Sequence, residues 1–140
     1  MDSGLHRFII AQETDYQQAL TEIRSGKKTG HWMWYIFPQL TGLGYSETSK
    51  FYALNNLNEA KEFLDHPILG SRLREITNVL LNLEHTDANQ IFGSPDDLKL
   101  KSCMTLFSVV EDTDTTIFKK VIEKYFNGRL DEKTLKLMQN

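Results

Sequence analysis

The sequence predicts an all-α protein, a compact single-domain bundle of about six to eight helices around a central aromatic helix. Apolar residues recur at the helical spacing of three and four positions along most of the chain. No segment alternates apolar and polar residues over a useful length, and no hairpin dipeptide separates two β-branched runs, so a sheet has no support. The 140 residues, 40% of them hydrophobic, suit a single domain over residues 1–140 with its own core.

The helices of the first half are placed by apolar spacing and by stop signals. Residues 6–24 carry apolar side chains at helical intervals, and Ser25-Gly26 ends this first helix. Residues 30–39 form an aromatic segment that is apolar on all sides. If it is helical, other helices must cover it, which makes it the central helix, and Pro38 ends it. Ser46 is a candidate N-cap for the next helix.

The helices of the second half are placed by capping residues and prolines. The clearest start is Ser94-Pro95-Asp96-Asp97, which combines a Ser cap, Pro at the first helical position and two carboxylates in the positive first turn. The other predicted starts are Asn58 for a short helix, Pro67 for a long helix capped by Asp65 or His66, Thr86-Asp87 for a single turn, Asp114 for a helix that Asn127-Gly128 ends, and Asp131 for the last turn or two.

The composition argues against several classes of protein. Sixteen basic and 19 acidic residues give a net charge of -3, whereas general nucleic-acid binders are usually basic. No run approaches the ~20 apolar residues of a membrane span, and the N-terminus lacks the pattern of a signal peptide. The single cysteine, Cys103, cannot form an internal disulfide, which agrees with a reducing compartment. We therefore expect a cytoplasmic protein that does not bind membranes.

One stretch combines aromatic density with positive charge. Residues 31–52 hold seven of the 15 aromatic side chains, and residues 23–46 contain three basic residues but no Asp or Glu. Such an aromatic cluster is either ordinary core or the wall of a pocket, and the sequence leaves both open. The charge favours an anionic ligand. The loop Gly42-Leu43-Gly44 before Ser46 could offer backbone N–H groups to a phosphate, although a loop of this kind is usually only a turn.

These features predict a ligand site built from two acid-free runs, residues 23–46 and 98–110. Trp32 or Trp34 would stack on a flat group. Polar residues of the second run would form a notch in an apolar helix, unless their hydroxyls simply bond back to that helix. The predicted ligand-binding residues are His31, Trp32, Trp34, Gln39, Gly42, Gly44, Ser46, Lys99, Ser102 and Thr105.

Asp96 and Asp97 are the candidate catalytic residues, because adjacent carboxylates that share a site can act as acid and base. Neighbouring positions on a helix point about 100° apart, however, and first-turn carboxylates commonly do no more than complement the helix dipole. The four histidines lack metal-ligand spacing, so we predict no metal and no cofactor. A lone cysteine such as Cys103 in an apolar helix is typical of an inert core residue.

The order of several motifs resembles a family of uncharacterised bacterial helical proteins, the domain-of-unknown-function 1810 family, whose members often carry the label calpastatin. The likeness covers nearly the whole chain. Its motifs are Arg7-Phe8 with Ala11-Gln12, Gly30-His31-Trp32-Met33-Trp34 with Phe37-Pro38-Gln39, Gly42-Leu43-Gly44 with Ser46, His66-Pro67 with Leu69-Gly70, and the run from Phe92 to Leu100 followed by Ser102, Met104-Thr105-Leu106 and Phe107.

The resemblance implies a compact, mainly helical single domain and little about activity. A fainter likeness joins the chain to the helical ADP-ribose-related family of the YbiA type, whose members act on N-glycosidic bonds of nucleotides. Together with the aromatic and basic residues, it suggests a cleft for a phosphate-bearing, nucleotide-like small molecule, and an N-glycosidic-bond hydrolase of the ADP-ribose type as the enzymatic version. The alternative is a non-catalytic protein-interaction module that presents an aromatic patch.

Overall fold

The computed structural model describes residues 4–85 and 87–139, and this part of the chain confirms the all-α fold class. It contains nine helices and, outside them, one isolated parallel bridge between Leu40 and Leu54. The number is one more than the upper bound of the predicted six to eight, and four of the helices have seven residues or fewer. In chain order the helices are α1 His6–Arg24, α2 Met33–Ile36, α3 Glu47–Tyr52, α4 Leu57–Asp65, α5 Leu69–Asn82, α6 Ala88–Phe92, α7 Asp96–Glu111, α8 Ile117–Phe126 and α9 Glu132–Met138.

The central helix is α7 rather than the aromatic segment. Residues 102–108 of α7 are all buried, and the helix packs against α4, α6, α8 and α9. The aromatic segment contributes only the single turn α2, because Trp32 stands at its N-cap with a non-helical φ of -114° and Pro38 follows its end. The prediction of a central aromatic helix is therefore wrong, although Trp32 and Phe37 are core residues with at most 1% exposure.

Glu22, a buried carboxylate of α1, holds the loop that leads into α2. Its Oε1 accepts hydrogen bonds from the backbone N–H groups of Thr29 (2.7 Å) and Gly30 (2.9 Å) and from Trp32 Nε1 (2.9 Å). Its Oε2 accepts from Gln18 Nε2 at 2.8 Å. Burial alone would raise the pKa of Glu22, but these hydrogen bonds to the ionised form prevail and lower it to about 2. Glu22 thus fixes the loop in a non-helical path.

Three of the predicted N-cap residues do cap helices in the structure. The side chains of Ser46, Asp87 and Asp131 accept hydrogen bonds from the first turns of α3, α6 and α9. Thr86, predicted together with Asp87, lies outside the described residues. His66 Nδ1 accepts from the backbone N–H of Leu69, the first residue of α5, so this helix begins at Leu69 rather than at the predicted Pro67.

Three predicted starts are wrong by a few residues. Asn56 rather than Asn58 caps α4, since its Oδ1 accepts from Glu59 N, and Thr116 rather than Asp114 caps α8. Helix α7 begins at Asp96 with Pro95 in the cap position, so Ser94 does not cap it, and no side-chain hydrogen bond closes this end. A Ser-Pro pair fits the cap pattern in sequence, but the backbone places the serine one position too early.

Within residues 4–85 and 87–139, no helix has the length and apolar character needed to cross a membrane. The same residues contain no cluster of three or more His, Cys, Asp or Glu side chains that could hold a metal ion. Cys103 is completely buried in the core, and this burial raises the pKa of its thiol well above the ordinary value. Its packing is that of an inert core residue.

Candidate functional site

A cleft of about 430 Å³ opens between the loop that precedes α3, the first turns of α7 and the start of α9. It brings together residues that lie almost 100 positions apart in sequence. The walls include six of the ten predicted ligand-binding residues, namely Trp34, Gln39, Gly44, Ser46, Lys99 and Ser102. The two acid-free runs of the sequence therefore meet at one place.

The most distinctive contact in the cleft lies between Lys99 and Trp34. Lys99 Nζ lies 3.7 Å from the centroid of the Trp34 ring, the geometry of a cation–π interaction, and 3.0 Å from Asp96 Oδ1. The other carboxylate oxygen of Asp96 lies 2.8 Å from Lys28 Nζ. Two ammonium groups thus share one carboxylate, so the array carries a net positive charge. It also links the loop before α2 to the start of α7.

The environment of Asp96 does not suit a general acid. Burial raises its pKa, but Lys28 and Lys99 lower the pKa more strongly through hydrogen bonds and charge, and the net shift is below the ordinary value. Asp97 faces elsewhere, since its Oδ1 accepts from the backbone N–H of Leu98 and its Oδ2 from Asn89 Nδ2 at 3.3 Å. Neither carboxylate is among the described residues that line the cleft. The prediction that they form a catalytic pair finds no support in this geometry.

Gln39 contributes an unsatisfied donor to the site. Its Nε2 is buried and has no hydrogen-bond partner among the described residues, while the residue itself lines the cleft. An unpaired buried amide of this kind costs on the order of 1–3 kcal/mol. The backbone of Gln39 is fixed, because its carbonyl oxygen accepts from Leu54 N at 2.9 Å. A ligand acceptor that reached the amide would recover this cost.

Gly44 and Ser46 shape the rim of the cleft. A Cβ atom on Gly44 would lie 2.5 Å from Ser49 Oγ, so a side chain here would clash with α3, and it would be in ordinary van der Waals contact with the Trp34 ring at 3.8 Å. The Ser46 hydroxyl accepts from Ser49 N at 3.1 Å and is thereby committed to capping α3. The Ser102 hydroxyl donates to Leu98 O at 3.2 Å, which is the back-bonding alternative considered from the sequence.

Four predicted ligand-binding residues lie outside the cleft. Trp32 is 1% exposed and bonded to Glu22, so it belongs to the core, whereas His31 is exposed and is not among the residues that line the cleft. Gly42 borders a smaller neighbouring cavity that shares Trp34 and Gln39 with the cleft. The structure thus places these three residues outside the cleft that contains Trp34.

Thr105 is the fourth predicted residue outside the cleft. It positions the part of the cleft wall that Asp131 and Lys133 form. It is completely buried in α7, and its Oγ1 accepts from the backbone N–H of Asp131 at 2.9 Å. This bond fixes the loop before α9 on the central helix. It thereby places Asp131 and Lys133 at the cleft, two residues that no local sequence pattern indicated.

Tyr45 and Leu98, on the rim of the cleft, are two further residues that the sequence did not predict as part of the site. Tyr45 is 81% exposed and Leu98 is 58% exposed, and both line the cleft. Lys133 Nζ lies 5.8 Å from the centroid of the Tyr45 ring. The aromatic density of residues 31–52 includes Tyr45, so that signal could have identified it, whereas Leu98 fits the helical apolar pattern and looks like a core residue in sequence.

Comparisons with known proteins agree with this picture of the fold. The model of the family described as "Protein of unknown function (DUF1810)" matches residues 2–138. No curated protein matches the sequence. The chain is similar in structure to the conserved hypothetical protein Rv1873 from Mycobacterium tuberculosis, with a TM-score of 0.93 and 42% sequence identity over 97% of this chain and 96% of that one. The chain therefore belongs to the DUF1810 family.

Proposed function

We propose that the cleft binds a phosphate-bearing, nucleotide-like small molecule. The observation that carries the proposal is the ammonium group of Lys99, which lies 3.7 Å from the Trp34 ring centroid. The same cleft is lined by Gln39, whose buried Nε2 has no hydrogen-bond partner in the described part of the chain. A cation, an aromatic surface and a spare donor are complementary to an anion that is attached to a flat group. The volume of about 430 Å³ falls in the usual range for small-molecule sites.

The charge balance favours an anion at Lys99. Its side chain is 20% exposed, and its carboxylate partner Asp96 is already bonded to Lys28. A phosphate oxygen at Lys99 would therefore form a charge-assisted hydrogen bond without leaving Asp96 unpaired. The same oxygen, or a neighbouring one, would satisfy Gln39 Nε2 after a side-chain rotation.

Two aromatic surfaces of the cleft, the rings of Trp34 and Tyr45, could stack on the flat group of the ligand. Lys99 covers one face of Trp34, so stacking on that face requires the ammonium group to move towards the anion. The ring of Tyr45 is 81% exposed and needs no such movement, and Leu98 adds apolar surface beside it. We therefore assign the flat group to Tyr45 and Leu98, with Trp34 as the support of the ammonium group. Stacking on an aromatic ring contributes roughly 1–3 kcal/mol for a nucleobase.

The enzymatic version of the proposal is hydrolysis of an N-glycosidic bond in an ADP-ribose-type ligand. That reaction needs a proton donor for the leaving base and a carboxylate that stabilises positive charge on the sugar. Asp96 fits neither role, because its pKa is lowered and because it does not line the cleft and is paired with Lys28 and Lys99. We therefore expect binding without turnover, and release of adenine from ADP-ribose, followed by chromatography, is the measurement that would establish an enzyme.

A protein-interaction module is the second candidate, favoured by the exposure of Tyr45 and Leu98 on one rim. Exposed aromatic and aliphatic side chains of this kind anchor partner proteins at interfaces. The two candidates differ in the contribution of Lys99: a phosphate ligand depends on its charge, whereas an apolar anchor patch depends on Tyr45 and Leu98 alone.

Calorimetric titration with AMP and ADP-ribose tests the proposal. We expect both to bind, and Lys99→Gln to weaken binding about tenfold because it removes the charge-assisted bond to phosphate. Lys61→Gln is the matched control, since Lys61 is exposed on α4 and away from the cleft. Absence of binding by the parent protein, or equal affinities of the Lys99 and Lys61 variants, would contradict the proposal.

A further inference from the structure

A second depression adjoins the cleft and shares two of its walls. It has a volume of about 680 Å³ and lies between α7 and the loop that leads into α9. Asp131 and Lys133 line both concavities, so the surface runs from one to the other past these two side chains. The depression adds two further cations, Lys101 and Arg129.

The charges of this depression are unbalanced. Within the described part of the chain, no ion pair joins Lys101, Arg129 or Lys133 to a carboxylate. The carboxylate of Asp131 is committed to α9, because its Oδ2 accepts from Thr134 N at 2.9 Å and from Thr134 Oγ1 at 2.6 Å. The lining therefore holds three cations and two carboxylates, those of Asp131 and the exposed Glu132, and its formal net charge is +1.

The backbone along the depression is anchored to neighbouring helices. Lys101 and Thr105 lie one turn apart on α7, and so they share a face of that helix. Thr105 holds the loop through its bond to Asp131 N, and the N–H of Arg129 donates to Phe126 O at 3.0 Å. The backbone that carries Arg129 is thus tied to the central helix and to the end of α8.

We propose that this depression binds a second phosphate group, so that the ligand carries a chain of two or more phosphates. This inference rests on the proposed function of the cleft. The flat group and the first phosphate occupy the cleft, and the chain runs past Lys133 towards Lys101 and Arg129. The natural ligand class is then a nucleoside diphosphate or triphosphate, or a diphosphate-linked nucleotide, rather than a monophosphate.

Calorimetry with AMP, ATP and inorganic tripolyphosphate, all without Mg²⁺, tests the inference. We expect ATP to bind at least tenfold more tightly than AMP, and tripolyphosphate to bind more weakly than ATP because it lacks the flat group. The double variant Lys101→Gln/Arg129→Gln should lose the advantage of ATP over AMP and should keep the affinity for AMP within about twofold. Lys61→Gln/Lys120→Gln is the matched double control, since both residues are exposed and lie outside the two concavities.

The outcomes separate the two proposals. Binding of AMP together with equal affinities for AMP and ATP would overturn the second-phosphate site and leave the function of the cleft standing. An advantage of ATP that persists in the Lys101/Arg129 variant, or tripolyphosphate binding unchanged by it, would also overturn the second-phosphate site. Failure of all three ligands to bind the parent protein would overturn both proposals. Thermal unfolding of each variant establishes that it is folded before binding is compared.

Discussion

Replacing Glu22 with Gln tests whether one buried carboxylate holds the loop that leads into α2. Glu22 is 9% exposed and accepts hydrogen bonds from two backbone N–H groups, Trp32 Nε1 and Gln18 Nε2. A Gln side chain keeps one oxygen as an acceptor but loses the charge, and its NH₂ group faces the NH₂ group of Gln18 until that amide turns. Charge-assisted bonds become neutral ones, so we expect the free energy of unfolding to fall by about 1–3 kcal/mol at pH 7.

The pH dependence gives an independent value for the contribution of Glu22 to the free energy of unfolding. The pKa of Glu22 is about 2 in the folded protein, compared with an ordinary value of 4.5. Because the folded pKa is the lower one, Glu22 stabilises the fold fully at pH values above the unfolded pKa, and this contribution disappears as the pH falls towards 2. The difference between the two pKa values corresponds to at most about 3 kcal/mol. The stability gap between the parent and Glu22→Gln should therefore be largest near neutral pH and should narrow between pH 5 and about 2.

Urea unfolding from pH 7 to pH 3, followed by circular dichroism, measures this gap. Glu13→Gln is the matched control, because Glu13 is an exposed residue of the same helix, and we expect its stability to stay within about 0.5 kcal/mol of the parent at every pH. A gap for Glu22→Gln that stays constant as the pH falls would refute the reasoning, since it would mean that the ionised form of Glu22 is not what the loop requires.

Three further substitutions test helix ends. Ser46→Ala should lower the free energy of unfolding by about 0.5–2 kcal/mol because the cap of α3 is lost, whereas Ser94→Ala should change it by less than about 0.5 kcal/mol; the reverse order in urea unfolding would contradict the assigned start of α7. Lys124→Met should cost about 1–3 kcal/mol, because Lys124 Nζ donates to the carbonyl oxygens of Leu81 (2.7 Å) and Leu83 at the end of α5. Equal thermal stability of Lys124→Met and the parent would show that water replaces those bonds without loss.

The long helices could be predicted from the sequence because their burial is periodic. Helices α1, α5 and α8 have one buried face each, and the spacing of their apolar residues records it. The aromatic segment misled the prediction because high apolar density signals burial but does not determine backbone conformation. The non-helical path before α2 depends on Glu22 of a different helix, which periodicity within the segment does not contain.

Part of the candidate site could be predicted from the distribution of charged residues along the sequence. The absence of acidic residues along 23–46 and 98–110 led to the prediction of Trp34, Gln39 and Lys99 as site residues, and all three line the cleft. Nothing local distinguishes Trp34 from Trp32, because the contact with Glu22 that buries one of them is tertiary. The wall formed by Asp131 and Lys133 depends on a hydrogen bond between residues 26 positions apart, and no local pattern indicates such a contact.

The two tryptophans provide the most direct measurement of the central claim, that the cleft binds a phosphate-bearing ligand. The chain contains only Trp32 and Trp34, so its ¹H–¹⁵N NMR spectrum has two indole N–H resonances, which Trp34→Phe assigns. Trp32 Nε1 is bonded to Glu22 in the core and serves as an internal control, whereas Trp34 lines the cleft beneath Lys99. On titration with AMP, we expect the Trp34 resonance to shift in a saturable way and the Trp32 resonance to stay in place. A Trp34 resonance that does not move at millimolar AMP, or a Trp32 resonance that moves instead, would contradict the account.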